Sequence, residues 1–81
     1  MKRFGAPASN GKSMVLVESE AIAEIEYDSL KAILFIRFVD GEWYTYFDVA
    51  QQVYDDFVAA GSYGGFFQQN IRERYRYRRG R

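Results

Sequence analysis

Hydrophobic and polar residues alternate in the first half of the chain, and this pattern predicts β-strands. Residues 21–27 place small and apolar side chains at odd positions and two glutamates among the even ones, as expected for a strand with one wet face. Every even position in 30–39 is apolar, which makes this the strongest strand signal. Residues 42–47 alternate as well, and Asp40–Gly41 before them indicates a type I′ hairpin turn with positive φ at both positions. Residues 14–18 form a shorter β-prone run that fits an edge strand or simply leads into the fold.

The spacing of apolar residues then changes to three or four, which predicts two helices. Asp48 fits the N-cap of the first helix, with Gln51 as its capping-box partner. The apolar stripe of this helix consists of Val49, Val53, Phe57 and Ala60. Ser62 fits the N-cap of a second helix over residues 64–75. Its inward face carries Phe67, Ile71 and Tyr75.

These elements together predict an α+β fold: an antiparallel three-stranded meander followed by two helices packed on one face of the sheet (βββαα). A chain of 81 residues has room for one domain. We expect a flexible leader over 1–13, a single domain over 14–77 and a basic tail over 78–81. No apolar run reaches the roughly 18 residues of a membrane span, and no signal peptide is evident. A cytoplasmic monomer is therefore expected.

The composition excludes several kinds of chemistry. The chain has no cysteine and no histidine, which removes disulfides, thiolate nucleophiles and the catalytic triads that need these residues. Carboxylates are plentiful, and Glu24 and Glu26 share one strand face, but no nucleophile, base or metal partner accompanies them in a recognisable spacing. We therefore expect no enzymatic activity, no cofactor and no metal site.

The charges are separated along the chain, although the formal net charge is zero. Residues 1–13 carry three basic residues and no acid, residues 14–71 carry ten acids and two bases, and residues 72–81 carry six Arg and one Glu. The chain is thus an acidic body with basic ends. The C-terminal arginines either contact an external polyanion or fold back onto the acidic body, and the sequence leaves both readings open.

The basic C-terminal segment is the principal candidate for a nucleic-acid interface. Arginine binds phosphate with two hydrogen bonds and stacks on bases, and tyrosine offers a stacking ring. The predicted nucleic-acid-binding residues are Arg72, Arg74, Tyr75, Arg76, Tyr77, Arg78 and Arg79. For Arg72 a second interpretation is a structural ion pair with Asp28 or Asp48, because Arg72 directly follows an inward-facing position of the helix.

Two further surfaces are weaker candidates. The turn that opens the second helix contains Ser62, Tyr63, Gly64 and Gly65, and its exposed N–H groups suit a phosphate. The same residues also make a good helix–helix turn, with the serine as cap. Aromatic residues on two neighbouring strands form the other surface, in which Tyr44 and Tyr46 would stack bases if they are the exposed set.

The residues also resemble a known family. The matching stretches are Ser19…Tyr27-Asp28, Leu30…Phe38…Gly41…Tyr44-Thr45-Tyr46…Val49, Tyr54…Ala60-Gly61-Ser62-Tyr63-Gly64 and Phe66-Phe67…Ile71-Arg72…Tyr75…Tyr77. On these residues, the chain resembles the KTSC domain over about residues 19–77. It departs from the family at Ala50 and Arg76, where the family usually has proline.

The resemblance implies a contact with nucleic acid, because the KTSC domain occurs at the C-terminus of some lysyl-tRNA synthetases as well as in stand-alone bacterial and phage proteins. The leading hypothesis is therefore a small non-enzymatic module that binds RNA or DNA through its Arg/Tyr-rich C-terminal segment. The alternatives are a protein-interaction module of bacterial or phage origin and a small-nucleotide binder at the Ser62–Gly65 turn.

Overall fold

A five-stranded antiparallel sheet frames the fold, and two helices pack on one of its faces. The computed structural model describes residues 11–81. The strands are β1 Lys12–Leu16, β2 Ile22–Asp28, β3 Ile33–Phe38, β4 Trp43–Tyr46 and β5 Tyr77–Arg79, and the helices are α1 Gln51–Val58 and α2 Tyr63–Asn70. The order of strands across the sheet is β1-β2-β3-β4-β5. The predicted α+β class is confirmed, with the meander β2-β3-β4 at the centre of a wider sheet.

The two edge strands come from the ends of the described chain. β1 begins at Lys12, inside the segment 1–13 predicted as a leader, and residues 1–10 of that segment lie outside the described residues. β5 incorporates Arg78 and Arg79, which were predicted to begin a tail. Since β5 pairs antiparallel with β4, the end of the chain is held against the sheet.

A β-bulge in β2 decides which residues reach the core. The register between β2 and β3 shifts between Ile22 and Glu24, so that an extra residue of β2 lies opposite β3. Ile22 is therefore fully buried together with Ile25 and Tyr27. Simple alternation had placed Ile22 with the glutamates, on the opposite face, and that assignment was wrong.

The turn between β2 and β3 is longer than the sequence pattern predicts. β3 begins at Ile33, and Leu30 is 77% exposed. The Asp28 carboxylate accepts hydrogen bonds from the backbone N–H groups of Leu30 and Lys31, at 3.1 and 3.3 Å. Ala32 adopts a φ of 59°. The turn that the Asp28 side chain stabilises therefore includes Leu30 and Ala32, two apolar residues that the pattern assigned to the strand.

The turn between β3 and β4 contains Asp40 and Gly41, as predicted, but it is not of type I′. Gly41 has a φ of 92°, whereas Asp40 is not among the residues of the described chain with positive φ. The Asp40 carboxylate accepts the N–H of Glu42 at 3.0 Å. The side chain of Asp40 therefore stabilises a turn that needs only one left-handed residue.

Both helices are shorter than predicted. The N-cap of α1 is Ala50, which makes no side-chain cap hydrogen bond, and Asp48 instead adopts a left-handed φ of 58°. Asp48 bends the chain between the sheet and α1 and does not cap the helix. Ser62 caps α2 as predicted, but α2 ends at Asn70, and Glu73 with a φ of 71° turns the chain back toward β5.

The core lies between the helices and the covered face of the sheet, which we call the helix face. Its eleven buried hydrophobic residues are Ile22, Ile25, Tyr27, Leu34, Ile36, Tyr46, Val49, Tyr54, Phe57, Phe67 and Ile71. The Tyr27 and Tyr54 rings stack with centroids 5.0 Å apart, and the Tyr27 hydroxyl donates to the carbonyl of Val49. This bond joins β2 to the start of α1 and orients the helices on the sheet.

Candidate nucleic-acid interface

The register of β5 determines where the C-terminal arginines and tyrosines point. Tyr77 lies opposite Tyr46, and Arg78 lies opposite Thr45. Two further backbone bonds extend the pairing: the Phe47 N–H donates to the Arg76 carbonyl at 2.9 Å, and the Gly80 N–H donates to the Trp43 carbonyl at 2.6 Å. Backbone pairing with the sheet therefore reaches from residue 76 to residue 80, around β5.

Strand alternation divides the predicted binding residues between two faces. Tyr77 and Arg79 share the helix face with the buried Tyr46. Arg76 and Arg78 project from the opposite side, which carries no helix within residues 11–81 and which we call the open face. The sequence had grouped these four residues into one site, and the pairing of β5 with β4 separates them.

The remaining predicted residues of this segment lie before β5. Tyr75 is half-buried and packs against the core, so it is not a free stacking ring. Arg74 is exposed in the connection between α2 and β5. Arg72 is exposed as well, and its guanidinium donates to the Gln68 side chain at 3.0 Å. The alternative pairing of Arg72 with Asp28 or Asp48 is wrong, because no ion pair of Arg72 occurs among residues 11–81.

The acidic body neutralises only some of the basic residues. Arg79 pairs with Glu42 at 3.2 Å, Arg81 pairs with Glu26 at 2.8 Å, and Arg37 pairs with Glu24 at 3.1 Å. Hydrogen bonding to these carboxylates raises the pKa values of Arg79 and Arg81 above the ordinary arginine value. In the part of the chain that the structure describes, the arginines without an ion pair are Arg72, Arg74, Arg76 and Arg78.

Three half-buried aromatic rings lie on the open face: Phe35 on β3, Trp43 on β4 and Phe47 just after β4. The Arg81 guanidinium carbon lies 4.4 Å from the Phe35 ring centre and 4.2 Å from that of Trp43. The guanidinium carbon of Arg76 lies 4.9 Å from the Phe47 ring centre. Arginines therefore already stack on these rings, within the distance of a cation–π contact.

Tyr44 and Tyr46 do not form the predicted stacking platform. Tyr44 and Tyr46 face the helices, and Tyr46 is only 4% exposed. Burial raises the pKa of Tyr46 to about 12, so its hydroxyl stays protonated at neutral pH. The sequence pattern did not include Arg81 or Phe47 among the candidate residues. The signal for Phe47 was its alternation with Trp43 in residues 42–47. Alternation alone would place Arg81 on the face of Tyr77 and Arg79, and Gly80, with a φ of 93°, breaks the alternation before it.

Glu24 and Glu26 lie side by side on the open face, and their environments differ. Burial raises the pKa of Glu24 above its ordinary value of 4.5, with hydrogen bonding to Glu26 as a second cause. The hydrogen bond from Arg81 lowers the pKa of Glu26. Among residues 11–81, no group of three or more carboxylates is arranged to hold a metal ion. The described residues also contain no helix that is long and apolar enough to cross a membrane.

The turn that opens α2 is used for capping. The Ser62 hydroxyl accepts the N–H of Gly65 at 3.0 Å. The Tyr63 ring contacts the Phe57 ring edge-on with centroids 6.4 Å apart, and Gly64 approaches the Ala21 side chain. Two carboxylic residues, Glu18 and Glu20, line the surface depression beside this turn. Their charge disfavours a phosphate at the Ser62–Gly65 turn, since none of the residues that line this depression is basic.

The fold and the surfaces described above define the protein as a small α+β domain with a helix-covered sheet face and an open sheet face. Comparison with known sequences places it in a family: a model of the KTSC domain matches residues 18–75, and the chain belongs to this family. A protein from Tsukamurella paurometabola is 42% identical over 60 residues, which cover 74% of this chain and 90% of that protein.

A solved structure supports the same assignment. The fold is similar to the crystal structure of a KTSC domain protein from Yersinia pestis, with a TM-score of 0.77 and 31% sequence identity. The match covers 83% of this chain and 94% of the other. The resemblance stated from the residues alone is therefore confirmed.

Proposed function

We propose that this protein is a small non-enzymatic module that binds single-stranded nucleic acid, RNA or DNA, on the open face of its sheet. One observation carries the proposal. Three half-buried rings, Phe35, Trp43 and Phe47, share that face with Arg76 and Arg78, neither of which pairs with an acidic side chain within residues 11–81. The Arg78 guanidinium donates instead to the main-chain oxygen of Arg81 at 3.3 Å.

The rings supply the stacking contacts. Sheet-borne aromatic side chains stack on unpaired bases, and each stacked base contributes about 1–3 kcal/mol to binding. The rings are half-buried, so part of each remains exposed to solvent. A guanidinium already lies over each of the three rings. Since guanidinium and base both bind a ring through its π surface, the same positions suit a base.

The two arginines of this face that have no acidic side-chain partner in residues 11–81 supply the phosphate contacts. Arg76 and Arg78 are two residues apart on one strand edge, so their side chains follow the same direction along the sheet. The acids of the open face, Glu24 and Glu26, are already paired with Arg37 and Arg81. They therefore repel phosphate less than the acidic composition of the body suggests.

Fluorescence anisotropy with labelled eight-nucleotide RNA and DNA tests the proposal. We expect the double variant R76Q/R78Q to bind more weakly than the wild type. We also expect its slope of log K against log salt to be smaller by about 1.4, since each neutralised phosphate of a single strand contributes about 0.7. A duplex of the same sequence is expected to bind less well, because its bases cannot reach the rings.

The matched control is K31Q/R74Q, which removes the same charge from two exposed positions outside the open-face site. Wild-type affinity in K31Q/R74Q and a loss in R76Q/R78Q would support the open face. An equal loss in both variants would show attraction by overall charge only, and no binding of any single strand would contradict the proposed function.

A protein partner is the second candidate function. Met14 and Leu16 on the edge strand β1 are 49% and 68% exposed and share the open face with Glu26 and Glu24, respectively. An apolar pair on the edge strand of the described sheet suits a partner that adds a strand. The uncharged substitution L16Q, with oligonucleotide binding as control, would weaken such a protein contact and leave nucleic-acid binding intact.

A further inference from the structure

Five aromatic rings on the helix face form a closed circuit of contacts. The successive centroid distances are 5.5 Å for Phe38–Tyr44, 6.0 Å for Tyr44–Tyr77, 5.6 Å for Tyr77–Tyr46, 5.9 Å for Tyr46–Phe67 and 5.4 Å for Phe67–Phe38. These rings come from β3, β4, β5 and α2. The circuit thus joins elements that are far apart in the chain, and we call it the aromatic circuit.

The aromatic circuit lines a groove that opens to solvent. The groove has a volume of about 590 Å³, within the usual range of small-molecule sites. Tyr77 is 56% exposed and forms one wall, whereas Tyr46 and Phe67 are buried beneath it. A groove with buried aromatic rings at its base and one exposed aromatic ring at its side suits a planar ligand ring that stacks against Tyr77.

The rim of the groove carries charges of both signs. Arg72 lines it and has no ion pair among the described residues, its one side-chain hydrogen bond being to Gln68. Its positive charge lies close enough to Tyr46 to act on the pKa of that hydroxyl. Arg72 is therefore a free cation beside an aromatic surface.

Three carboxylates also line the groove. Asp40 and Glu42 come from the β3–β4 turn, and Glu73 follows Arg72 in the chain. Glu42 is paired with Arg79. Carboxylates accept hydrogen bonds from N–H groups and repel additional negative charge. The groove thus offers one position for an anion and several acceptors for N–H donors.

We infer that this groove binds a nucleoside monophosphate whose base has an exocyclic amino group. The base lies in the aromatic circuit against Tyr77, the phosphate pairs with Arg72, and the amino group donates to a rim carboxylate. Adenine and cytosine carry such a donor and uracil does not. The acidic rim disfavours the greater charge of a triphosphate. This inference does not rest on the proposed function, because the groove and the open face lie on opposite sides of the sheet.

Titration of the ¹⁵N-labelled protein with AMP, followed by amide chemical shifts, tests the inference. We expect shifts at Tyr44, Arg72 and Tyr77, and tighter binding of AMP than of UMP, ATP or adenosine. R72Q is expected to bind AMP about tenfold more weakly, as for loss of a charge-assisted hydrogen bond, and to abolish the preference of AMP over adenosine.

Two variants keep the test decisive. Y77A is expected to weaken AMP binding about tenfold by removing the stacking wall, and Y77F to retain it, which separates loss of the ring from damage to β5. K31Q, which removes a positive charge from the exposed turn between β2 and β3, is expected to bind AMP as the wild type does. Equal affinity for AMP and adenosine, shifts confined to residues 61–66, or no shifts at millimolar AMP would overturn the inference.

Discussion

The guanidinium of Arg81 rests on the Trp43 ring, with its central carbon 4.2 Å from the ring centre, while one of its N–H groups donates to Glu26 at 2.8 Å. The chain thus places its own arginine on the surface proposed for nucleic acid. A base that stacks on Trp43 must first displace this guanidinium, and the released cation is then available to a phosphate.

Removal of Arg81 should be visible in the fluorescence of Trp43, which is the single tryptophan of the chain. We expect R81Q to shift the emission maximum to longer wavelength, because the ring loses its covering guanidinium and meets more water. R79Q removes an equivalent charge from the helix face and should leave the spectrum unchanged. Identical spectra for R81Q and the wild type would contradict the observed stacking.

The two glutamates of the open face should titrate in a fixed order. The pKa of Glu24 is raised by burial and that of Glu26 is lowered by the hydrogen bond from Arg81. As the pH falls, Glu24 takes up its proton first, above its ordinary value of 4.5, and this protonation favours the folded state. The stabilisation that Glu26 gives the folded state is fully present above pH 4.5, its ordinary pKa. It is lost as the pH falls through the lowered pKa that Glu26 has in the folded state.

A ¹³C-carboxyl NMR titration resolves the two groups. R81Q should raise the pKa of Glu26 toward its ordinary value, since the charge-assisted hydrogen bond is gone. Protonation of Glu26 before Glu24 in the wild-type protein would show that the pair with Arg81 does not persist in solution.

Leu30 and Leu34 provide a test of the β3 register. Both lie on the same face in the sequence pattern, but Leu34 is fully buried and Leu30 is 77% exposed. We expect Leu34→Ala to lower the free energy of unfolding by about 2–5 kcal/mol, and Leu30→Ala to change it by less than about 0.5 kcal/mol. Urea denaturation measures both. Similar losses in the two variants would place Leu30 in the core as well.

The comparison of these leucines also shows how far the fold follows from the sequence. Alternation identified the three central strands because one face of each is buried, and Ser62 identified the start of α2 because a capping hydroxyl acts locally. Alternation could not locate the bulge at Ile22 or the end of α2, since both depend on pairing with distant residues. The edge strand β5 was missed for the same reason: three residues carry too little periodicity to compete with an apparent helical spacing at Tyr75.

The role of Ser62 as a cap can be measured directly. Ser62→Ala removes the acceptor for the Gly65 N–H and should lower the free energy of unfolding by about 1 kcal/mol. Ser62→Asn keeps an acceptor at this position and should retain most of the stability. Both variants can be compared by thermal or urea unfolding. A loss of the same size in both variants would mean that the hydroxyl contributes through contacts other than the cap.

The candidate site was predictable in composition and not in arrangement. Charge segregation drew attention to the C-terminal arginines, because charge is a property of the sequence itself. The arrangement follows from the register between β4 and β5, which separates Arg76 and Arg78 from Tyr77 and Arg79. This register exists only in the folded sheet and could not be predicted from the sequence.

The strand β5 has three residues, none of them buried, and it hydrogen-bonds to the sheet through β4 alone. Such an edge opens at a lower free energy than the core strands, and its amides should be among the first of the sheet to exchange with solvent. Tyr77 belongs to one side of this strand and Arg78 to the other. A single local opening of β5 would therefore disrupt the aromatic groove and release the open-face arginines at the same time. A ligand bound on either face of the sheet would then slow amide exchange throughout β5.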